Sequence, residues 1–104
     1  MKISLIMLTK NSKKNLAITL ASLYNQSYEN WELIVQDCLS EDGTDEFFSN
    51  NCDRRVHFLS QQDAGLYDGL NQAIKRINGD IVGVLHSDDK LYDDEVLADV
   101  VKAF

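Results

Sequence analysis

Four short runs of apolar residues alternate along the chain with segments in which apolar residues recur at helical spacing. The apolar runs are residues 3–8, 31–35, 56–59 and 81–85, and the helical segments lie at 12–28, 45–49, 66–77 and 96–104. Strands that alternate with helices form parallel sheets, because a crossover helix returns the chain to start the next strand in the same direction. The sequence therefore predicts an α/β fold, a mostly parallel sheet of about four strands with helices on both faces.

At 104 residues, the chain has the length of one ordinary domain. Large aromatic side chains at periodic positions usually pack, so Trp31, Phe58 and Phe104 are predicted to lie in the core. No apolar run approaches the roughly 18 residues of a membrane-spanning helix, and the opening run is typical of a strand rather than a signal peptide. Cys38 and Cys52 match neither a metal-binding spacing nor a disulfide framework, so free thiols in a cytosolic protein are expected.

Acidic residues outnumber basic ones, and they are unevenly distributed. Seventeen Asp and Glu against ten Lys and Arg give a formal net charge of −7. Residues 1–28 hold four lysines and no acid, so all seventeen acids lie in residues 29–104. This balance opposes binding to the phosphate backbone of DNA or RNA, and no nucleic acid partner is expected. An acidic protein can still hold an anion when a divalent cation lies between them.

Polar side chains stand directly after each predicted strand, at the end where open parallel sheets bind their ligands. They are residues 9–11, Asp37, 61–63 and 86–89. Loops are polar in general, but Asp88 and Asp89 follow a buried strand as an adjacent pair. Carboxylates that face one pocket repel each other, and their hard oxygen atoms suit Mg²⁺ or Mn²⁺. From spacing alone, the two residues either hold a divalent cation or cap the helix that follows.

Five blocks of sequence, in order and at ordinary spacings, resemble the N-terminal half of the family 2 glycosyltransferases, enzymes of the GT-A fold. The blocks are residues 4–11, 20–28, 32–44, 63–71 and 79–89. The fourth resembles the family's Asp-x-Gly-x-Tyr-Asp-Ala-x-Asn segment, and the fifth its Asn-Ser-Asp-Asp block with a DxD-type metal motif. The resemblance implies a Rossmann-like GT-A nucleotide-binding half, with residues 1–104 as a single, truncated nucleotide-sugar-binding domain. In that family the general base and the acceptor site lie beyond the fifth block, so no catalytic base is expected in this chain.

The resemblance also implies roles for individual residues. Six would bind the nucleotide sugar: Thr9, Asn11, Asp37, Asp63, Asp68 and Asp88. Thr9 and Asp37 would border the base, where Asp37 accepts from a uracil-like or guanine-like N–H, and Asp88 would face the ribose or the sugar. Asp89 would ligate the cation, Mn²⁺ or Mg²⁺, that bridges the diphosphate. Tyr67 either stacks on a sugar or base or packs against its own helix.

The implied activity is transfer of a sugar from a UDP- or GDP-sugar to a glycan or lipid-linked acceptor during polysaccharide biosynthesis. The expected location is cytoplasmic, with peripheral association of the complete enzyme at the inner face of the membrane. Truncation would expose a sheet edge, which favours homo-oligomers.

The alternative class is a small receiver-like or flavodoxin-like α/β domain for signalling or binding, without transferase activity. A receiver-like domain needs paired acids after its first strand, where this chain has Thr9-Lys10-Asn11, so that alternative fits less well.

Overall fold

The computed structural model describes residues 1–104, apart from the side chain of Leu66. Strands and α-helices alternate along the chain, and a 3₁₀ turn at Lys13–Asn15 precedes the first helix. In chain order the elements are β1 (Ile3–Thr9), α1 (Leu16–Tyr24), β2 (Trp31–Asp37), α2 (Thr44–Asn51), β3 (Val56–Ser60), α3 (Leu66–Ile74), β4 (Ile81–Val84) and α4 (Val96–Lys102). Within the described residues, no helix is both long and apolar enough to cross a bilayer.

The strands form one parallel sheet in the order β3-β2-β1-β4. The chain adds β2 and β3 on one side of β1 and then crosses back to place β4 on the other side. The direction of strand addition reverses beside β1, so the carboxyl ends of β1 and β4 border the place where such sheets bind ligands. This arrangement confirms the predicted parallel α/β fold.

The register of the sheet aligns polar residues of three strands in one row at the carboxyl edge. Thr9 of β1 pairs with Asp37 of β2, and Asp37 pairs with Ser60 of β3. The apolar runs of the sequence predict that β1 ends before Thr9 and that β2 ends before Asp37. Both strands continue to Thr9 and Asp37 because the two polar side chains are buried and hydrogen-bonded to each other.

Helices cover both faces of the sheet, as predicted, and each face has its own apolar core. The larger core lies under α1, α2 and α4, whose buried members are Leu16, Leu20, Leu23, Phe48 and Leu97. On the opposite face, Ala73 of α3 packs with Ile6 of β1 and Ile34 of β2. Central strands covered on both faces are apolar at nearly every position, which explains the continuous apolar runs of β1 and β2.

Residues at the edges of this arrangement are less well covered. Val82 and Val84 of the edge strand β4 are 48% and 51% exposed on the face that carries α3. Trp31 is buried and Phe58 packs against the larger core, as predicted. The prediction for Phe104 is wrong, since this side chain is 76% exposed. The physical reason is that α4 ends at Lys102 and leaves Phe104 beyond the packed helix.

Candidate functional site

Asp37 ends β2 inside the protein, and its carboxylate accepts four hydrogen bonds. Oδ1 accepts from the hydroxyls of Thr9 and Ser40, both at 2.5 Å. Oδ2 accepts from the Ser40 backbone N–H and the Ser60 hydroxyl, both at 2.8 Å. An ionised carboxylate offers about four lone-pair positions, so internal donors occupy them all. One side chain therefore joins the carboxyl ends of β1, β2 and β3.

The charge of Asp37 is fixed by these contacts. Burial by itself raises the pKa of the carboxyl, but hydrogen bonds from Ser40, Thr9 and Ser60 outweigh burial and hold the pKa below its ordinary value. Asp37 is therefore ionised at neutral pH, although it is only 1% exposed. The carboxyl edge of the sheet carries a permanent negative charge at its centre.

Asn11 connects the loop after β1 to the loop after β2. Its backbone N–H donates to Ser40 Oγ at 2.8 Å, and its Oδ1 accepts from the Glu41 N–H at 2.7 Å. Asn11 and Leu39 both adopt left-handed backbone conformations, with φ of +51° and +48°. Asn tolerates this conformation better than most residues, whereas Leu39 is held in it at a conformational cost. The structure thus gives Asn11 a role in shaping the loops that surround Asp37.

Asp63 and Asp68 lie at the turn that leads into α3. Asp63 Oδ1 accepts from the Gly65 N–H at 3.0 Å, and Asp68 Oδ2 accepts from the Ala64 N–H at 2.8 Å. Gly65 has φ of +119°, a conformation open to glycine and strained for other residues. Gly69 leaves room for the neighbouring carboxylate, since a Cβ there would lie 2.9 Å from Asp63 Oδ2. The two carboxylates hold this turn against the first turn of α3.

Two glutamine side chains continue the network from Asp68 into the protein. Gln72 Nε2 donates to Asp68 Oδ2 at 2.9 Å, and Gln72 Oε1 accepts from Gln36 Nε2 at 3.1 Å and from Gln61 Nε2. Gln36 Oε1 in turn accepts from Arg76 Nη2 at 2.8 Å. The chain of contacts runs from one end of α3 to the other, along the α3 face of β2.

Asp88 and Asp89 lie in a tight turn after β4. The Asp89 N–H donates to the His86 carbonyl at 3.1 Å, and Asp89 Oδ2 accepts from the His86 N–H at 3.3 Å. The side chains of Asp88 and Asp89 are exposed. Helix α4 starts only at Val96, so the two carboxylates do not cap it, and that alternative is excluded.

Sequence reasoning missed the residues that hold the segment after β4 in place. Thr19 of α1 is fully buried, and its hydroxyl contacts the carbonyl oxygens of Ser87 and Asp89. Gln26, also buried, accepts from the Leu97 N–H at 3.0 Å, in the first turn of α4. Both are polar residues next to the apolar stripe of α1, and a polar residue in a buried position is the signal that could have identified them.

Whether a divalent cation fits at Asp88 and Asp89 depends on the donors they offer. Both are exposed carboxylates, and Mg²⁺ and Mn²⁺ prefer oxygen ligands. Within the part of the chain that the structure describes, no three His, Cys, Asp or Glu side chains group closely enough to enclose a metal ion. Mg²⁺ bound with a diphosphate usually takes one or two carboxylates from the protein and its other ligands from phosphate and water. The donor pair therefore fits a cation that is shared with a diphosphate.

The structure brings some of the predicted residues together and leaves others apart. Thr9 and Asp37 are in direct contact, and Asn11 joins them through Ser40. The predicted residues after β3 (Asp63 and Asp68) and after β4 (Asp88 and Asp89) form two further groups at the same edge of the sheet. Among the described contacts, no hydrogen bond links these three groups directly. The site is an open edge with three separate sets of polar side chains.

The strand order and the polar groups gathered at the carboxyl edge define a Rossmann-like α/β protein of the GT-A kind. The chain belongs to glycosyl transferase family 2, since the model of that family matches residues 4–104. This match confirms the resemblance that the five sequence blocks predict.

Curated relatives are similar to this chain over most of its length. A putative teichuronic acid biosynthesis glycosyltransferase, TuaG of Bacillus subtilis, is 31% identical over 97 residues, which is 90% of this chain and 38% of that protein. The Escherichia coli UDP-Glc:alpha-D-GlcNAc-diphosphoundecaprenol beta-1,3-glucosyltransferase WfgD is 33% identical over 88 residues, or 84% of this chain and 35% of that protein. The chain thus spans little more than a third of the length of these relatives.

Solved structures show the same fold. TarS 1–349 of S. aureus in complex with UDP-GlcNAc superposes with a TM-score of 0.81 and 32% identity, over 98% of this chain and 30% of that one. The mannosyltransferase PcManGT from Pyrobaculum calidifontis, in complex with GDP-Man and Mn²⁺, gives a TM-score of 0.85 and 25% identity, over 97% of this chain and 31% of that one.

Proposed function

We propose that this chain is the donor-binding part of a glycosyltransferase that transfers a sugar from a nucleotide-diphosphate sugar to a glycan or lipid-linked acceptor. Residues 1–104 would form one nucleotide-sugar-binding domain, and the catalytic base would be supplied from outside it. Family membership supports the reaction class. The donor class is supported by two similar structures, TarS in complex with UDP-GlcNAc and the mannosyltransferase in complex with GDP-Man.

The observation that carries the proposal is the junction at Asp37. Its hydrogen bonds hold the ends of β1, β2 and β3 in one rigid row beside the point where strand order reverses. Thr9 and Asn11 lie in the same network, so the residues proposed to border the nucleotide are positioned before any ligand arrives. Tyr67, 80% exposed, does not pack against its helix and is free to stack on a sugar or base.

The proposed cation would be held by Asp89, with Asp88 directed to the ribose or the sugar. When bound, Mn²⁺ or Mg²⁺ would neutralise the negative charge that develops on the departing diphosphate. This assignment rests on the chemistry of the two carboxylates and on the Mn²⁺ in the structure of the similar mannosyltransferase. The charge of Asp37 is stabilised by neutral internal donors, so Asp37 does not need the cation as a partner.

Isothermal titration of the folded chain with UDP and GDP, with and without Mn²⁺, tests the proposal. We expect saturable, Mn²⁺-dependent heat with one of the two nucleotides and loss of the Mn²⁺ dependence in Asp89→Asn. Asp93→Asn, an exposed carboxylate four residues further along, is the matched control and should bind like the parent chain. A sample that is folded by circular dichroism yet gives no heat with either nucleotide would refute the proposal and favour a receiver-like or flavodoxin-like module.

Self-association and location are finer proposals. The half-exposed Val82 and Val84 on the edge strand β4 support a homo-oligomer through that edge. Lipid-linked acceptors support peripheral association of the complete enzyme with the cytoplasmic face of the membrane, where polysaccharide precursors would be elongated. Sedimentation of the chain at several concentrations tests the first, and fractionation of cells that express the complete protein tests the second.

A further inference from the structure

A cavity lies at the amino ends of the strands, at the opposite end of the sheet from the candidate site. Its volume is about 760 Å³, within the range of small-molecule sites. Its polar lining comes from residues at or just before the starts of β1, β2 and β3 and from the segment between α3 and β4: Lys2, Glu32, Arg54, His57, Arg76 and Asn78. The function proposed above does not use this cavity.

The only carboxylate that lines this cavity, among the described residues, is already engaged. Glu32 Oε2 accepts from the Ser4 hydroxyl at 2.5 Å and from the Asn78 N–H at 2.7 Å, and Oε1 lies 3.4 Å from Lys2 Nζ. Burial raises the pKa of Glu32, but the contacts with Ser4, Asn78 and Lys2 outweigh burial, so its pKa lies below the ordinary value. One negative charge is thus buried and neutralised by Lys2.

Two arginines at the same cavity have no such partner. Neither Arg54 nor Arg76 has a carboxylate within 4.0 Å among the described residues. Asp53 interacts with Arg54 only at longer range, and its carboxylate is bonded by Arg55 at 2.8 Å. Arg76 donates to the Val35 carbonyl and to Gln36 Oε1, both uncharged, and its buried Nε has no hydrogen-bond partner in the described structure.

Arg76 is partly buried, and a cation that is partly removed from water is stabilised when an anion joins it, whereas Arg54 is exposed and adds its charge at the rim of the cavity. Two guanidinium groups, with the His57 imidazole and the Glu32-paired Lys2 beside them, come from three separate segments of the chain. A phosphate group suits such a set, because its oxygens point in several directions and bind guanidinium groups in pairs. We propose that this amino-end cavity is an anion site that binds a phosphate group, either of a soluble compound or of a lipid headgroup.

Titration of the ¹⁵N-labelled chain with inorganic phosphate, at constant ionic strength set with chloride, tests the proposal. We expect saturable shifts of the Lys2, His57 and Asn78 amide signals and about tenfold weaker binding in Arg54→Gln. Lys102→Gln, which removes an exposed cation from α4, should bind phosphate like the parent chain. Arg54 is preferred for the test because Arg76 also closes the glutamine network, so its loss would disturb packing.

A second experiment distinguishes a lipid headgroup from a soluble phosphate compound as the ligand. Vesicles of phosphatidylcholine with and without phosphatidate would be sedimented with the chain. Co-sedimentation that needs phosphatidate and Arg54 assigns the site to a headgroup, whereas binding of free phosphate alone assigns it to a soluble compound. Phosphate shifts that never saturate, or equal affinities for Arg54→Gln and the parent chain, would overturn the proposal. Nucleotide binding is judged by heat that depends on Mn²⁺ and on Asp89, whereas phosphate binding here is judged by its dependence on Arg54, so the two proposals can fail independently.

Discussion

Asp68 lies in the first turn of α3, Arg76 lies two residues beyond the end of that helix, and two glutamine side chains join them. The contacts run from Arg76 Nη2 to Gln36 Oε1 at 2.8 Å, from Gln36 Nε2 to Gln72 Oε1 at 3.1 Å, and from Gln72 Nε2 to Asp68 Oδ2 at 2.9 Å. Arginine can only donate and a carboxylate can only accept, so the orientation of both amides is determined by the two ends. The cation at one end of α3 thereby directs an N–H toward the carboxylate at the other.

Replacement of Gln36 by leucine should therefore destabilise the protein, although the apolar side chain has a similar volume. The change leaves Arg76 Nη2 without its amide acceptor in a half-buried position, and we expect a loss of about 2 kcal/mol in the free energy of unfolding. Urea unfolding followed by circular dichroism measures it. Lys75→Met, an exposed neighbour of Arg76, is the control and should change stability little. Equal stability of Gln36→Leu and the parent chain would show that the network contributes nothing.

The folded protein should become less stable in acid, because the Asp37 carboxylate becomes protonated there. Its pKa is depressed in the folded chain, because hydrogen bonds from Ser40, Thr9 and Ser60 outweigh burial. The stabilising contribution is present above the unfolded pKa of about 3.9 and is lost as the pH falls through the lower folded pKa. Asp37→Asn should be less stable at pH 7 by about 1–2 kcal/mol and should show a smaller further loss below pH ~4.

Urea unfolding at several pH values between neutral and acid measures this difference. Glu32, whose pKa is also depressed, keeps part of the acid dependence in the Asp37→Asn variant. Glu29→Gln alters an exposed carboxylate and should retain the full acid dependence of the parent chain. Parallel stability curves for Asp37→Asn and the parent chain would contradict the assigned role.

Thr19→Val should loosen the turn that carries Asp88 and Asp89. Valine keeps the shape of threonine but loses the hydroxyl that contacts the Ser87 and Asp89 carbonyl oxygens. We expect faster hydrogen exchange of the Asp89 amide and, if the nucleotide site is as proposed, about threefold weaker Mn²⁺-dependent UDP or GDP binding. Ser4→Ala, which removes a buried hydroxyl at the other end of the sheet, should leave the Asp89 amide unchanged. Unaltered exchange in Thr19→Val would refute the anchoring role.

Replacement by alanine should affect stability differently at Gly79, just before β4, and at Gly83, within β4. A Cβ on Gly79 would lie 2.5 Å from Ser4 Oγ, 2.7 Å from the Lys2 carbonyl oxygen and 2.9 Å from the Ser4 backbone nitrogen. Because two of these atoms belong to the backbone, the sheet must shift, and we expect Gly79→Ala to cost about 1–3 kcal/mol. A Cβ on Gly83 would meet only Leu5 Cδ2, at 3.4 Å, so Gly83→Ala should be tolerated. Thermal unfolding of both variants measures the contrast.

The fold class could be predicted because alternation of apolar runs and helical patterns depends on nearest neighbours in sequence. The ends of β1 and β2 could not, since Thr9 and Asp37 are polar and become buried only when the register places them side by side. Phe104 follows the apolar spacing of α4, but periodicity does not show that the helix ends two residues earlier.

The candidate site was only partly predictable, because many of its contacts join residues that are far apart in the sequence. Sequence blocks identify Asp37, but its partner Ser60 is 23 positions away and is brought near by strand pairing alone. Thr19 contacts a turn 68 and 70 residues further along the chain. Such contacts depend on the order of the strands, which the local pattern leaves open. The proposed nucleotide and metal roles remain predictions for the titrations above.

The filled coordination of Asp37 has a consequence for recognition. A base N–H that reaches this carboxylate takes the place of a threonine or serine hydroxyl, so the number of hydrogen bonds to Asp37 stays the same. Contact with Asp37 is then an exchange that adds little to affinity. A base that presents an acceptor atom in the same position would bind less well, because that atom would face the carboxylate of Asp37, which is itself an acceptor. Asp37 would act in this way as a discriminator between bases, while the strength of binding would come from the diphosphate and the sugar.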